Sequence, residues 1–184
     1  MWHKLIKNYR IFKYRILSGK PDISGKAIRH QPVLFNGKGK IAIGDNVHLG
    51  VYNAPSFYST YAYIEARGFE DSVLFGSNIH INNNFSAIAF NGKITFEDDV
   101  LIGANCSITT SDFHNLDPLS RKQNLINGSE VLICKNAFIG DNVTILKGVT
   151  IGENSVIGSN SVVTKNIPQN SIAAGNPARV IRDF

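Results

Sequence analysis

Between Ile133 and Val163 an aliphatic residue returns at every sixth position: Ile133, Ile139, Ile145, Ile151, Ile157 and Val163. A period of six fits neither the 3.6-residue helical repeat nor the two-residue alternation of a strand. It predicts short strands separated by regular corners, a β-helix of hexapeptide repeats. Two further columns keep the same period. Four residues after each aliphatic stands a small or β-branched side chain: Ala137, Val143, Val149, Ser155 and Ser161, with the larger Ile167 last. Three residues after each stands Asn136, Asn142, Gly148, Asn154, Asn160 or Asn166. Asn and Gly tolerate positive φ, so this column predicts left-handed corners. A run of hairpins would instead show two-residue turns between alternating strands. Three hexads make one triangular coil, so Ile133 should stack on Ile151, Ile139 on Ile157 and Ile145 on Val163, at the ~4.8 Å spacing of parallel neighbours. Each coil buries its aliphatics only with the help of the next.

Outside this stretch the pattern changes. Residues 1–20 place Trp2, Leu5, Ile6, Tyr9, Phe12, Ile16 and Leu17 at helical spacing, with Lys4, Lys7, Arg10, Lys13 and Arg15 between them. Gly19 and Pro21 stop the helix. Two readings stay open: a cap on the open end of the coil, or a basic amphipathic helix on anionic lipid. Residues 22–184 then form the β-helix. Its first half repeats the corner less regularly, at Ile43–Asn46, Phe75–Asn78, Ile81–Asn84, Phe96–Asp99 and Ile102–Asn105. The phase slips between these groups, which predicts bulges or insertions. Segment 51–72 is rich in aromatics and reads as a cleft wall, a subunit contact or ordinary packing. The repeat stops over 109–132, a long loop holding His114 between Asp112 and Asp117; loops of this length in compact domains are functional or disordered. A tail over 168–184 closes the chain, with Pro177 barring a helix from running through it.

Composition adds little to this picture. The 184 residues carry a net charge of +5, without a basic run that would suggest nucleic acid. No apolar run is long enough to span a bilayer. Cys106, in the small-residue column, and Cys134 read as structural thiols of a reducing cytoplasm rather than a disulfide or metal pair.

The hexads, the His-bearing loop and the ending Val163-Thr-Lys-Asn-Ile-Pro, followed by Ala174-Gly-Asn-Pro-Ala-Arg179, resemble the hexapeptide-repeat O-acetyltransferases. That family includes galactoside, maltose, capsule, O-antigen and colanic acid acetyltransferases. The likeness is strong from about Ser77 onward and weak before it. It implies an all-β fold, a left-handed parallel β-helix with a short N-terminal α-helix, an extruded loop and a C-terminal tail. It also implies a homotrimer with acetyl-CoA sites between subunits, no metal, a sugar or glycan acceptor and a cytoplasmic location. The matching base is His114. Lys165, Arg179 and Arg182 match cations near the nucleotide end of CoA, Ser159 and Thr164 match contacts in the last coil, and Asp141 matches a position along the pantetheine arm.

The chemistry of these residue types is consistent with those roles. An imidazole titrates near neutral pH and can deprotonate an acceptor hydroxyl. Cations favour a pyrophosphate and a 3′-phosphate. Asp112 or Asp117 is a candidate to orient the imidazole. Asn84 is a weak candidate for the acceptor, since the galactoside pattern's Asn falls on Ile88 here. Competing functions are N-acetylation of an amino sugar or nucleotide-linked amino sugar, and a non-catalytic structural β-helix. A zinc carbonic anhydrase on the same fold needs three His ligands, and no close His pair follows the loop.

Overall fold

A computed structural model describes residues 2–123 and 127–184. Three parallel sheets wrap around one core. The first holds Asp22–Ser24, Lys40–Ile43, Ser72–Phe75, Lys93–Phe96, Val131–Ile133 and Thr150–Ile151. The second runs from Ile28–Arg29 through His48–Leu49, His80–Ile81, Leu101–Ile102 and Phe138–Ile139 to Val156–Ile157 and ends on Ser171–Gly175 and Ala178–Asp183. The third holds Val33–Gly37, Ala62–Ala66, Ser86–Ala89, Ser107–Thr109, Thr144–Ile145 and Val162–Val163. The chain visits the sheets in turn, one strand each per coil, and the fold is a left-handed parallel β-helix.

The stacking expected from the hexads is present. Ile133 pairs with Ile151, Ile139 with Ile157 and Ile145 with Val163. The small-residue column Ala137, Val143, Val149, Ser155, Ser161 and Ile167 is buried. Its two serines are satisfied locally: Ser155 Oγ donates to the Pro168 carbonyl and Ser161 Oγ to that of Gly158. Left-handed φ occurs at Asn136, Asn142, Gly148, Asn154 and Asn160. Asn166 departs from the expectation: it is not among the positive-φ residues, and its Oδ1 instead accepts from the Thr150 amide at 2.8 Å.

Corner asparagines also bond one another along the coil axis. The Asn46 amide donates to Asn78, Asn78 to Asp99, Asn136 to Asn154 and Asn154 to Asn170. A second ladder runs from Asn84 to Asn105 to Asn142 at about 3 Å per step. The column therefore supplies both the φ > 0 that each corner needs and a bonded spine linking coil to coil.

In the first half the register is as regular as in the second. Ile43, Phe75, Phe96 and Ile133 occupy one inward column, and Phe75 and Phe96 stack with ring centroids 4.8 Å apart. The apparent slips come from longer strands in the third sheet and from insertions at its two ends. One insertion lies between Leu49 and Ala62; its Phe57 is buried, and Asn83 fastens it by accepting from the Val51 amide and donating to the Val51 and Pro55 carbonyls. The aromatic segment is thus divided between this insertion, the strand Ala62–Ala66 and the turn beyond it, where Phe69 is exposed.

The N-terminal helix spans Trp2–Leu17 and buries none of its residues. Arg10 donates from both terminal nitrogens to the carbonyls of Phe57 and Thr60 at 2.6 Å, and Tyr14 packs on Tyr61. The helix is therefore pinned beside the first coil through its polar side. The helix lies against the terminal edge strand Val33–Gly37, where the Phe35 amide donates to Ser18 Oγ and the Phe35 carbonyl accepts from the Gly19 amide. Part of the open edge is thus covered as a cap would cover it, while Trp2, Leu5, Tyr9, Phe12 and Ile16 stay exposed. No helix among the described residues is long and apolar enough to cross a membrane. At the other end the tail forms an antiparallel hairpin, with Ala174 opposite Arg179 and Ile172 opposite Arg182.

Candidate active site

The long loop leaves the third sheet after Thr109 and rejoins the first at Val131, slightly inside the expected 109–132. Its neck is tied shut. Thr110 Oγ1 accepts from the Phe90 amide and donates to the Phe90 carbonyl, the Ser129 amide donates to the Thr110 carbonyl, and Ser111 bridges to Gly128. Thr110 and Ser111 are buried there. A neck closed in this way projects the following residues from a fixed base.

Those residues are Asp112, Phe113 and His114. Phe113 holds φ of 62°, the left-handed region that an aromatic residue seldom enters. Strained backbone of this kind persists only where its surroundings over-determine it. Here the surroundings are Phe90, whose ring lies 6.3 Å away, and the Arg67 guanidinium, 5.2 Å from the Phe113 ring and 4.7 Å from that of Phe90. Arg67 is in turn gripped by Glu65, with two nitrogen–oxygen contacts of 3.0 Å. The Glu65 carboxylate raises the Arg67 pKa further, mainly through these hydrogen bonds. The Phe113 amide donates to Ser111 Oγ. The residue before His114 is thus anchored on two coils of the third sheet.

His114 itself is exposed. It lines a cleft of about 150 Å³ with Asp112, Asn115, Leu116, Asn127 and Lys147. Among the described residues its ring accepts or donates no hydrogen bond. Neither candidate carboxylate holds it. Asp112 is engaged by the Lys147 ammonium. Asp117 caps its own turn, accepting from the Leu119 amide and the Ser120 hydroxyl. The imidazole is positioned by its backbone and left open toward the cleft.

The remaining expected residues lie elsewhere. Asp141 Oδ1 accepts from the Ala104 amide, and the Asp141 amide donates to Ser159 Oγ, so these two mark one corner of adjacent coils. Asp141 also lines a groove of about 300 Å³ with His80, Leu101, Gly103 and Phe138, on the outer face of the second sheet. Thr164, Lys165, Arg179 and Arg182 are exposed at the C-terminal end of the coil. None of the six lines the His114 cleft. Asn84 sits at φ of 61° and gives its amide to the Asn105 side chain, so it reads as a corner residue. Sequence reasoning missed Arg67, Glu65, Phe90, Phe113 and Lys147. The one signal was the register Ala66 to Ala89, which sets residues 67 and 90 side by side, and the early insertions hid it.

Neither cysteine has the setting of a nucleophile. Burial pushes the Cys106 thiol up to about 11, its sulfur resting 3.1 Å from the Gly140 carbonyl. Burial also raises that of half-buried Cys134. Among the described residues no group of three His, Cys, Asp or Glu is arranged to hold a metal ion.

The stacked hexads define a class by fold, the left-handed parallel β-helices of hexapeptide repeats. The family described as bacterial transferase hexapeptide (six repeats) matches residues 130–165, and that described as hexapeptide repeat of succinyl-transferase matches residues 93–111. In sequence and in fold the chain resembles the hexapeptide-repeat acetyltransferases. The galactoside O-acetyltransferase of Escherichia coli (strain K12) is 44% identical over 115 residues, 60% of this chain and 56% of that protein. The crystal structure of the polySia-specific acetyltransferase NeuO superposes with a TM-score of 0.71 at 28% identity, covering 88% of this chain and 70% of that one. A hexapeptide-repeat acetyltransferase of Vibrio cholerae O1 biovar eltor, complexed with acetyl coenzyme A, gives 0.55 at 26% identity over 96% of this chain and 76% of that one. The chain spans 36% to 60% of the length of the curated relatives it matches.

Proposed function

We propose that the chain is an acetyl-CoA-dependent O-acetyltransferase whose acceptor is a hydroxyl of a sugar in a surface polysaccharide or its precursor. The observation that carries this reading is His114: an exposed imidazole, free of protein partners among the described residues, held by a strained and clamped backbone over a cleft. In the reaction the imidazole takes the proton of the acceptor hydroxyl. The oxygen attacks the thioester carbonyl, the carbon–sulfur bond breaks and the CoA thiolate leaves. The imidazolium then returns its proton to the sulfur, so the products are the acetyl ester and free CoA thiol. No acyl-enzyme is needed, because donor and acceptor meet in one ternary complex.

The donor's phosphates would be met by Lys165, Arg179 and Arg182, with Ser159, Thr164 and Asp141 along its arm. Because these residues lie away from the His114 cleft within one chain, a complete site calls for a neighbouring copy, as a homotrimer provides. The outer ladder of the second sheet supports that assembly: Leu101 and Phe138 are adjacent partners in it and are 46% and 47% exposed. At the loop tip Leu116 and Leu119 are also exposed. A cytoplasmic location follows from the need for acetyl-CoA.

Thiol release from acetyl-CoA, measured across a panel of sugars with His114→Ala in parallel, tests the proposal. Turnover on at least one hydroxyl acceptor and its loss in the variant are expected. A product that survives mild alkali would be an amide and would replace the O-acetyl reading with N-acetylation of an amino sugar. Absence of turnover on every acceptor, or full turnover in the variant, would overturn it.

A further inference from the structure

The N-terminal helix presents a face that nothing in the chain covers. Trp2, Leu5, Tyr9, Phe12 and Ile16 follow one another at spacings of three and four, the line of a single helix face. All five are more than half exposed, and Ile6 and Leu17 flank them. The opposite side holds the body, through Arg10 on the Phe57 and Thr60 carbonyls and Tyr14 on Tyr61. The apolar side is therefore aimed away by the way the helix is fastened. A contiguous, exposed aromatic and aliphatic face rimmed by charged residues marks an interaction site.

The charge around it says what kind. The helix carries Lys4, Lys7, Arg10, Lys13 and Arg15 and no acid. Residues 1–44 hold ten of the nineteen Lys and Arg but one of the fourteen Asp and Glu, so the remainder of the chain is net negative. Beneath the helix a hollow of about 500 Å³ is lined by Ile11, Arg15, Lys26, Ala27 and Arg29. Three cations and no carboxylate face it. Among the described residues every ion pair lies beyond residue 64, so no cation of this end is neutralised internally. Burial, and then the charge of nearby Arg15, already lowers the Arg29 pKa. Such an end is incomplete without an anionic partner.

We propose that the N-terminal helix lies in the plane of an anionic lipid surface, its Trp2–Ile16 face in the acyl boundary, with the Arg15–Lys26–Arg29 hollow receiving a lipid phosphate. A large apolar face and a one-signed basic surround are the marks of an interfacial helix. With sixteen residues, the helix suits lying in the surface rather than crossing it. Basic side chains near an anionic leaflet each add attraction that fades within a Debye length, so salt should weaken the attachment. A second copy of the same basic end would add repulsion instead of cancelling it. The docking is independent of the transfer chemistry at His114.

Trp2 is the chain's one tryptophan and reports the event directly. The full chain is mixed with phosphatidylcholine vesicles, with or without one-third phosphatidylglycerol, and followed by tryptophan emission and by sedimentation. A blue shift and co-sedimentation with the anionic vesicles, both reduced in high salt, are expected. Leu5→Ser and Phe12→Ser, at exposed positions where folding is not at stake, should each weaken binding about tenfold. Substituting Lys26 and Arg29 by Gln should weaken binding to the anionic vesicles. An unshifted spectrum with no co-sedimentation would overturn the proposal. So would equal binding to both vesicle types, or a change of oligomeric state in Leu5→Ser and Phe12→Ser without a change in vesicle binding, which would make a second copy the occupant.

Discussion

Replacing Arg67 by Ala probes how the fold holds the proposed base. The Arg67 side chain is 40% exposed, whereas that of Glu65 beneath it is 7% exposed. Truncation removes two charge-assisted hydrogen bonds of 3.0 Å and leaves a nearly buried carboxylate with the Tyr63 hydroxyl beside it and its cation gone. Bonds to charged groups contribute about 1.5–3 kcal/mol each. The exposure of Arg67 brings solvent screening that reduces this, so a loss of about 2–3 kcal/mol in stability is expected. The ring contacts at 4.7 and 5.2 Å add about 0.5–1 kcal/mol of cation–π attraction that fixes Phe113. Without it the strained φ at Phe113 relaxes and His114 shifts. A displacement on the order of 1 Å lowers turnover by roughly a hundredfold. Urea denaturation reads the first effect and thiol release the second. The double variant Glu65→Leu/Arg67→Met removes the carboxylate as well and should recover most of the stability. Loss of stability with unchanged turnover would refute the positioning role, and no loss of either would refute the clamp itself.

Three further outcomes follow from the same geometry. Native protein at mild alkaline pH should resist thiol alkylation at Cys106, whose thiol is pushed up to about 11, and should react there only once unfolded. His30 and His48, joined by a 3.1 Å ring-nitrogen contact, with His48 in turn stacked on His80, have pKa values lowered by burial and then by neighbouring positive charge. A lowered His pKa in the folded state means stability is fully present above the unfolded value of about 6.5 and is lost as pH falls below it; melting temperature should therefore drop between about pH 7 and pH 5, and less so in His48→Gln. Phe138→Asp, on the exposed ladder of the second sheet, should convert the proposed trimer to monomer in light scattering and abolish turnover, while circular dichroism keeps its β signature.

The second half of the prism was legible because nothing interrupts it. From Ile133 to Val163 each aliphatic falls one strand onward, and the pairings predicted by counting are those formed. Asn166 broke the corner pattern because its side chain bonds the Thr150 amide where the chain turns toward the hairpin tail. The first half was illegible for a different reason. The insertion before Ala62 and the five-residue strands Val33–Gly37 and Ala62–Ala66 shift the count without shifting the stack. At the site, His114 could be found because a lone imidazole on an extruded loop stands out in the sequence. Its support could not. Arg67, Phe90 and Phe113 meet only once successive coils are laid on one another, a proximity that linear spacing does not carry. The helix face was visible as a pattern, but its direction was not, since Arg10 and the insertion decide which side is turned out.

His114 is the proposed base of a direct transfer from acetyl-CoA. Steady-state kinetics of His114→Ala with a productive sugar acceptor test it most directly. A fall in kcat of about 10²–10⁴-fold is expected, with KM for acetyl-CoA nearly unchanged, because the groups proposed to hold the donor do not include the imidazole. A variant that retains kcat, or one whose defect lies wholly in KM for acetyl-CoA, would contradict it.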